Sequence, residues 1–488
     1  MQSTLVTSRN VCLVAIASII LASACNLATT AEPAAAPAGP PLTYDAVSDT
    51  KYYPKPDLPK LGPAPFLFKD PTFGCPILRV SDDKTMGGEP VMTPSGGVQN
   101  TFNVDSTLFV VQTGGTRAVP FQFDPKTMKA SRIPGLDTLP GLSGDTPFSY
   151  HEKDVCYGKD LQRAVIAKFD FATKKTTDVL DVTKVTGLAV AGGHLGAFDL
   201  SADDSFSLVF GGPGQNRDMY VLWYNVKTGK HHVWNTEKGT IDGQAIPNAP
   251  TLLLHAAGID HSGRFVVVAP SRGAGVPWIW DVEKGSVYAM DNKAMGHRAA
   301  GYGDIVNDEH IWLYRKLDAE GIKTFKPLME HPAGEPYFQY DSHESWNNAR
   351  PDKQVPILID TYHIKEMADP KCAWGDEIVA VATDGSKKVW RFAHNRSWVH
   401  MPTRGEGGAR SMPADRTKMA EGQPYNFWDT PRGNVSQDGM FFMFTSNWED
   451  TCGKDRAGRF RDDVFIVKLG RDASIQTSPV PATAPAPE

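Results

Sequence analysis

The chain of 488 residues has little cysteine, six in all, and no excess of positive charge: 50 Lys and Arg stand against 56 Asp and Glu, a formal net charge of −6. A chain of that sign has no global field to attract nucleic acid or to coat an anionic membrane, so neither is expected as a partner. The apolar run from Val11 to Leu21 is too short to span a bilayer. No His-x-x-x-His or His-Glu-x-x-His spacing occurs, and no Gly-x-Ser-x-Gly elbow. Gly211-Gly-Pro-Gly-Gln215 lacks the Lys-Ser/Thr that a phosphate loop requires. Any metal, hydrolytic or anion site must therefore be assembled from distant segments. With 41% hydrophobic and 22% charged residues the chain is neither disordered nor collagen-like, and it can bury a sizeable core.

What is present begins with Arg9, the apolar run, and Ala22-Ser23-Ala24-Cys25, which have the order of an export signal. Two processing routes fit: lipidation at Cys25, or ordinary cleavage nearby, for instance after Ala31. Either predicts an exported protein, periplasmic, anchored to the outer membrane as a lipoprotein, or secreted, that meets a membrane only through lipid on Cys25. Residues 1–25 read as the signal, 26–45 as a Pro/Ala-rich linker, 60–470 as the folded domain, and 471–488 as a disordered Pro/Ala tail. Four cysteines remain in the body: Cys75, Cys156, Cys372 and Cys452. In an oxidising compartment they predict one or two disulfides; four cysteines allow three pairings, and Cys372 with Cys452 is the pair expected.

Internal repetition gives the fold. Asn103-Val-Asp-Ser-Thr-Leu-Phe-Val-Val111, Asp199 to Phe210, Ile259-Asp-His-Ser-Gly-Arg-Phe-Val-Val-Val268 and Val435-Ser-Gln-Asp-Gly-Met-Phe-Phe-Met-Phe444 each join a strand end, a polar tight turn and a second apolar strand. A second signature follows three of these and recurs in the unit near 169: Phe123-Asp-Pro-Lys-Thr-Met, Phe169-Asp-Phe-Ala-Thr-Lys, Tyr224-Asn-Val-Lys-Thr-Gly and Trp280-Asp-Val-Glu-Lys-Gly. Two linked hairpins per unit make a four-stranded antiparallel blade. Such blades recurring about an axis predict an all-β propeller. Seven units are marked, near 98–135, 145–185, 192–236, 251–291, 297–330, 338–396 and 426–468, with six or eight as alternatives and a β-sandwich pair as the other architecture. Pro76-Ile-Leu-Arg-Val-Ser81 reads as a strand that completes the last blade and closes the ring. A monomer is expected.

Loops from all blades converge on the channel mouth, so chemistry is expected where the innermost strands begin. The residues there are Gln99 and Asn100, Tyr150 and His151, His194, His255, His297 with Arg298 and Tyr302, His343 with Glu344, and Arg432. Imidazoles converging on one axis can carry protons or bind a metal. Between units six and seven, Val399 to Asn426 is long enough for a functional insertion, and residues 391–461 hold nine Arg and two Lys against eight Asp and Glu. That local excess of basic residues on an acidic chain predicts an anionic ligand. Trp278, Trp280, Trp346, Trp374, Trp390, Trp398, Trp428 and Trp448 could stack on sugars or pack the blades.

The turn motifs resemble the repeats of periplasmic WD-like propellers. Asp341-Ser-His-Glu-Ser-Trp346 resembles the Thr-His-Glu-x-Trp segment of oligogalacturonate lyases, seven-bladed propellers that cleave pectin fragments by β-elimination with a metal site built partly from histidines. The Asn347-Asn-Ala-Arg350 that follows departs from that family's Asp-Gly turn. Ulvan lyases on similar propellers pair His, Tyr and Arg, a combination available as His297, Tyr302 and Arg432. The resemblance implies a lyase acting on an anionic, uronate-containing polysaccharide or oligosaccharide. It implies a divalent metal (Mn, Ca or Zn), assigned to His255 and His343. Removing the proton α to a carboxylate requires that charge to be neutralised, for which Arg432 or Arg350 is available. His297 is then expected as base, Tyr302 as acid and His194 as a further catalytic group, with Arg350, Tyr150, Gln99 and Arg298 binding substrate. The alternatives are a non-catalytic glycan- or protein-binding propeller and a glycoside hydrolase using Glu344 with Asp304 or Asp429.

Overall fold

The structure, a computed structural model, describes residues 39–478 except 95–97, 114–116, 191–193, 213–217, 272–274, 291–296, 309–310, 331–339, 366–370, 401–426 and 457. The export signal, Cys25, most of the linker, the end of the tail and the basic insertion lie outside the described residues.

Seven antiparallel sheets, six of them built from consecutive strands and the seventh joining the two ends of the chain, take the arrangement of a seven-bladed β-propeller. Blade 1 spans Val91 to Arg132, blade 2 Val155 to Asp181, blade 3 Leu195 to Ala245, blade 4 Leu254 to Ala289, blade 5 Arg298 to Pro327, and blade 6 Asp341 to His394. In blade 2 the innermost segment is held by the bridges Ser143 to Lys159 and Phe148 to Cys156. Blade 7 is closed as the sequence predicts. Its strands Asn434–Val435, Phe441–Ser446 and Asp463–Lys468 are completed by Pro76–Arg79 and then Phe66–Lys69, with Ile77 opposite Val467 and Leu78 opposite Ile466. Arg79 reinforces the closure by pairing with Asp463 at 2.5 Å, a carboxylate that Arg461 also holds at 3.1 Å.

The apolar strand runs are continuous because both faces of a blade are covered by neighbours. In Phe441–Ser446, Phe442 and Phe444 face blade 6 while Phe441 and Met443 face blade 1. In Phe265–Pro270, Val266 and Val268 face blade 3 while Phe265 and Val267 face blade 5. Seven buried clusters result, one between each pair of adjacent blades. The turn signatures have a physical cause: Ser106, Asp204, Gly263 and Gly439 of the first motif, and Met128, Lys174, Gly229 and Gly285 of the second, all have positive φ.

Three expectations change. Cys75, Cys156, Cys372 and Cys452 are all free thiols, and Cys372 and Cys452 are buried in different inter-blade cores, so the expected pair does not form. The folded body starts earlier than residue 60 and includes the end of the expected linker. Tyr44 is buried against Trp390 and Phe392 and donates its hydroxyl to the Gly439 carbonyl. It also ends later than residue 470, because Ile475 is buried and the Ser478 amide bonds to the Leu67 carbonyl. Of the tryptophans, Trp280, Trp346, Trp374, Trp390 and Trp448 are core residues, whereas Trp428 is 39% exposed.

Candidate functional site

In a propeller all innermost strands run the same way, so residues just before them gather at one end of the channel and residues just after them at the other. His194, His255, His297, His343 and Arg432 belong to the first end; Tyr150, Tyr302 and Arg350 to the second. His297 and Tyr302 flank the strand Arg298–Ala300, whose three extended residues alone span about 10 Å. Tyr302 packs instead on His261, ring centroids 5.4 Å apart. The expected His297–Tyr302 base and acid pair is therefore split between the two ends.

Blades 5, 6 and 7 bring His297, His343 and Arg432 together. The His297 and His343 rings stack with centroids 4.1 Å apart and an interplanar angle of 27°. Tyr362 stacks on His343 at 5.2 Å. His297 Nδ1 donates to the Ser342 carbonyl at 2.5 Å and lies 3.6 Å from Asp341 Oδ1. His343 Nδ1 lies 3.4 Å from Asp360 Oδ1, while Asp360 Oδ2 accepts from the Gly433 amide. Arg432 is completely buried, donates to the Phe427 carbonyl at 2.6 Å, and lies over the Trp428 ring at 4.9 Å.

The electrostatics separate the two imidazoles. Burial pushes His297 down, but Asp341, Glu344 and the Ser342 carbonyl overcome it and hold the ring at about 9, so it is a cation at neutral pH. Burial and then the positive charge of His297 push His343 down to about 4, so it is neutral. Burial and then Asp308 push Glu344 up to about 8. Burial lowers Arg432 to about 10 against the pull of Asp462, Asp360 and Asp429, and it stays charged. At neutral pH these values leave the proton on His297, whereas the base expected from the sequence would need it off. Arg432, expected to neutralise a ligand carboxylate, has no exposed surface, and its guanidinium lies over the Phe427 and Trp428 rings.

His297 is the accessible member, its side chain 35% exposed. Across the mouth, His194 has a side chain 36% exposed and its Nε2 lies 3.0 Å from Asp218 Oδ1. His255 is near enough to Asp218 to draw its carboxyl down, against the dominant upward push of burial. Arg298 stands between the two groups. Its charge is felt at Asp199 of blade 3 and Glu344 of blade 6, yet it makes no ion pair with a described residue. Gln99 lies deeper, its Nε2 bound to the Phe198 carbonyl and its own carbonyl to Asn347, contacts that skip a blade and narrow the channel.

Among the described residues the expected metal donors His255 and His343 are not brought together as a ligand set, although His343 Nε2 is buried without a partner. His343 is covered on both ring faces, its Nδ1 faces Asp360, and the cations His297 and Arg432 flank it. His255 belongs to the separate group around Asp218. Among the described residues no three His, Cys, Asp or Glu side chains take a metal-ligating arrangement.

Sequence reading missed Asp360, Asp218, Asp462 and His261. Asp360 had a signal, a carboxylate in the apolar run Ile357–Tyr362, where a charge is retained only with a partner. His261 stood in a quoted turn motif and was read only as a turn.

No protein-family model and no curated protein matches the chain in sequence. Solved structures match it in fold. An oligogalacturonate lyase from Vibrio parahaemolyticus superimposes with TM-score 0.51 at 10% identity, covering 89% of this chain and 100% of that one. An oligogalacturonate lyase in complex with manganese gives TM-score 0.49 at 13% identity, covering 85% of this chain and 98% of the other. The chain is thus a seven-bladed β-propeller similar in architecture to oligogalacturonate lyase structures.

Proposed function

We propose that the protein is an exported carbohydrate-active enzyme that cleaves a uronate-containing polysaccharide or oligosaccharide by β-elimination at the mouth formed by blades 3 to 7. The observation that carries this reading is a cationic imidazole, His297, partly exposed at the mouth beside Arg298, a guanidinium with no ion pair among the described residues, on a chain whose net charge is negative. Two fixed cations in a desolvated mouth favour a carboxylate and stabilise the enolate-like charge that develops when its α proton leaves. His194, oriented by Asp218 at 3.0 Å, takes the α proton. His297 returns a proton to the leaving glycosidic oxygen, and the C4–O bond breaks as the C4–C5 double bond forms. His343 and Arg432 are positioning residues: one stacks on His297, the other anchors Phe427 and Trp428.

The test is to offer the full chain pectic, alginate, ulvan and glycosaminoglycan polymers while following ultraviolet absorbance of unsaturated uronate. New absorbance on one polymer supports elimination and identifies the substrate. Reducing ends without absorbance would make the enzyme a hydrolase; binding with neither would make it a scaffold.

A further inference from the structure

We propose that the opposite end of the channel is a second binding site, for one carboxylate of a small organic acid. Its walls come from four blades: Tyr150, His261, Tyr302 and Arg350. His261 lies between the two phenols, 5.0 Å from the Tyr150 ring and 5.4 Å from the Tyr302 ring. The Tyr150 hydroxyl donates to Asn347 Oδ1 at 3.2 Å, a contact from blade 2 to blade 6 that crosses the axis. Asn347 Nδ2 also donates to the main-chain carbonyl of Gln99, so contacts from blades 1, 2 and 6 span the channel behind the site.

Two features mark the site as built for an anion. Arg350 is held by main-chain carbonyls, donating to Ala349 at 3.1 Å and Gln437 at 3.0 Å, and it forms no ion pair with any described residue. Its charge is nevertheless felt at all three rings. A partly buried cation held only by neutral acceptors keeps its electrostatic need unmet. The second feature is His261, 6% exposed, whose Nδ1 has no hydrogen-bond partner. Burial and then Arg350 push this ring down to about 3, so it stays neutral and adds no competing charge. The acids nearest by are otherwise engaged. Asp199, whose charge acts on Tyr150, accepts from the Leu200 and Ile259 amides, Asp260 from Ser262 and from the Phe265 and Gly303 amides, Asp203 from Ser201 and Ser205, and Asp204 from Ser149. Asp352 is exposed to solvent. A carboxylate seated here takes the free N–H groups of Arg350 and the Tyr302 hydroxyl, with its carbon skeleton against the flanking rings.

The site does not depend on the elimination reading, and its test is binding, not turnover. Calorimetric titration of the full chain with galacturonate, and with galactose as the uncharged counterpart, is run on wild type, Arg350→Gln, Arg350→Lys and Tyr302→Phe. We expect galacturonate to bind and galactose not to, with affinity about ten-fold or more weaker in Arg350→Gln, partly restored in Arg350→Lys, and reduced a few-fold in Tyr302→Phe. Circular dichroism confirms that each variant is folded. Absence of binding to wild type, equal binding of galactose, or an unchanged affinity in Arg350→Gln would overturn the proposal. A loss confined to a further variant, His297→Ala, would also overturn it, by placing the anion at the other mouth.

Discussion

The imidazoles of His297 and His343 lie face to face, 4.1 Å between centroids, and one is charged while the other is not. Two stacked cations would repel, so the acid beside each ring decides which holds the proton. Asp341 and Glu344 favour His297; Asp360 at 3.4 Å does not offset burial at His343. Imidazole titration by NMR should show one ring near 9 and one near 4, and Asp341→Asn should bring the first down. The linkage has opposite signs. Between the ordinary 6.5 and about 9 the folded chain holds a proton on His297 that the unfolded chain lacks, so that contribution is full below 6.5 and lost as pH rises through about 9. His343 refuses a proton that the unfolded chain accepts, so it costs stability as pH falls from 6.5 to about 4. Two titrations near 6.5 would refute the assignment.

Arg432 is buried among Asp360, Asp429 and Asp462. Replacing it with Ala leaves those carboxylates without their cation, and removing one partner from a buried charge group costs about 3–5 kcal/mol. Urea denaturation should show a loss of that size in Arg432→Ala and a smaller one in Arg432→Lys. A loss below about 1 kcal/mol would mean that the acids are neutral without it.

Closure of the ring depends on the N-terminal strands. A chain beginning at residue 83 lacks Phe66–Lys69, Pro76–Arg79 and the Arg79 partner of Asp463, leaving blade 7 with an open edge. It should aggregate or melt without cooperativity, whereas a chain beginning at residue 39 should melt in one transition. Equal melting of the two would contradict closure by these strands.

All four body cysteines are buried thiols. In a chain beginning at residue 39, reductant should leave the melting temperature unchanged, and a thiol reagent should count four groups after denaturation and almost none before. A reductant-sensitive melt would restore a disulfide.

Blade number and the closing strand were legible because a propeller repeats its turn chemistry: Asp204, Gly263 and Gly439 recur where φ must be positive, and Val or Phe runs where both faces are covered. The site was legible only in part. His297 and Arg432 could be named from their places before the inner strands and His343 from its place on one, and their meeting follows from the adjacency of blades 5, 6 and 7. Which end of the channel Tyr302 and Arg350 reach was not, because it depends on strand length: Arg298–Ala300 is only three residues, yet it separates His297 from Tyr302. Protonation states were hidden too, since Asp341, Asp360 and the burial that sets them come together only in the fold.

The most direct test of the central claim is the pH dependence of unsaturated-uronate formation by wild type and His297→Ala on the polymer that responds. Elimination using a protonated His297 should hold its rate through neutral pH and fall as pH rises through about 9, and His297→Ala should be slower by about 10²-fold or more with that alkaline limb gone. A rate that climbs through pH 9 in wild type, or a His297→Ala variant as fast as wild type, would contradict it.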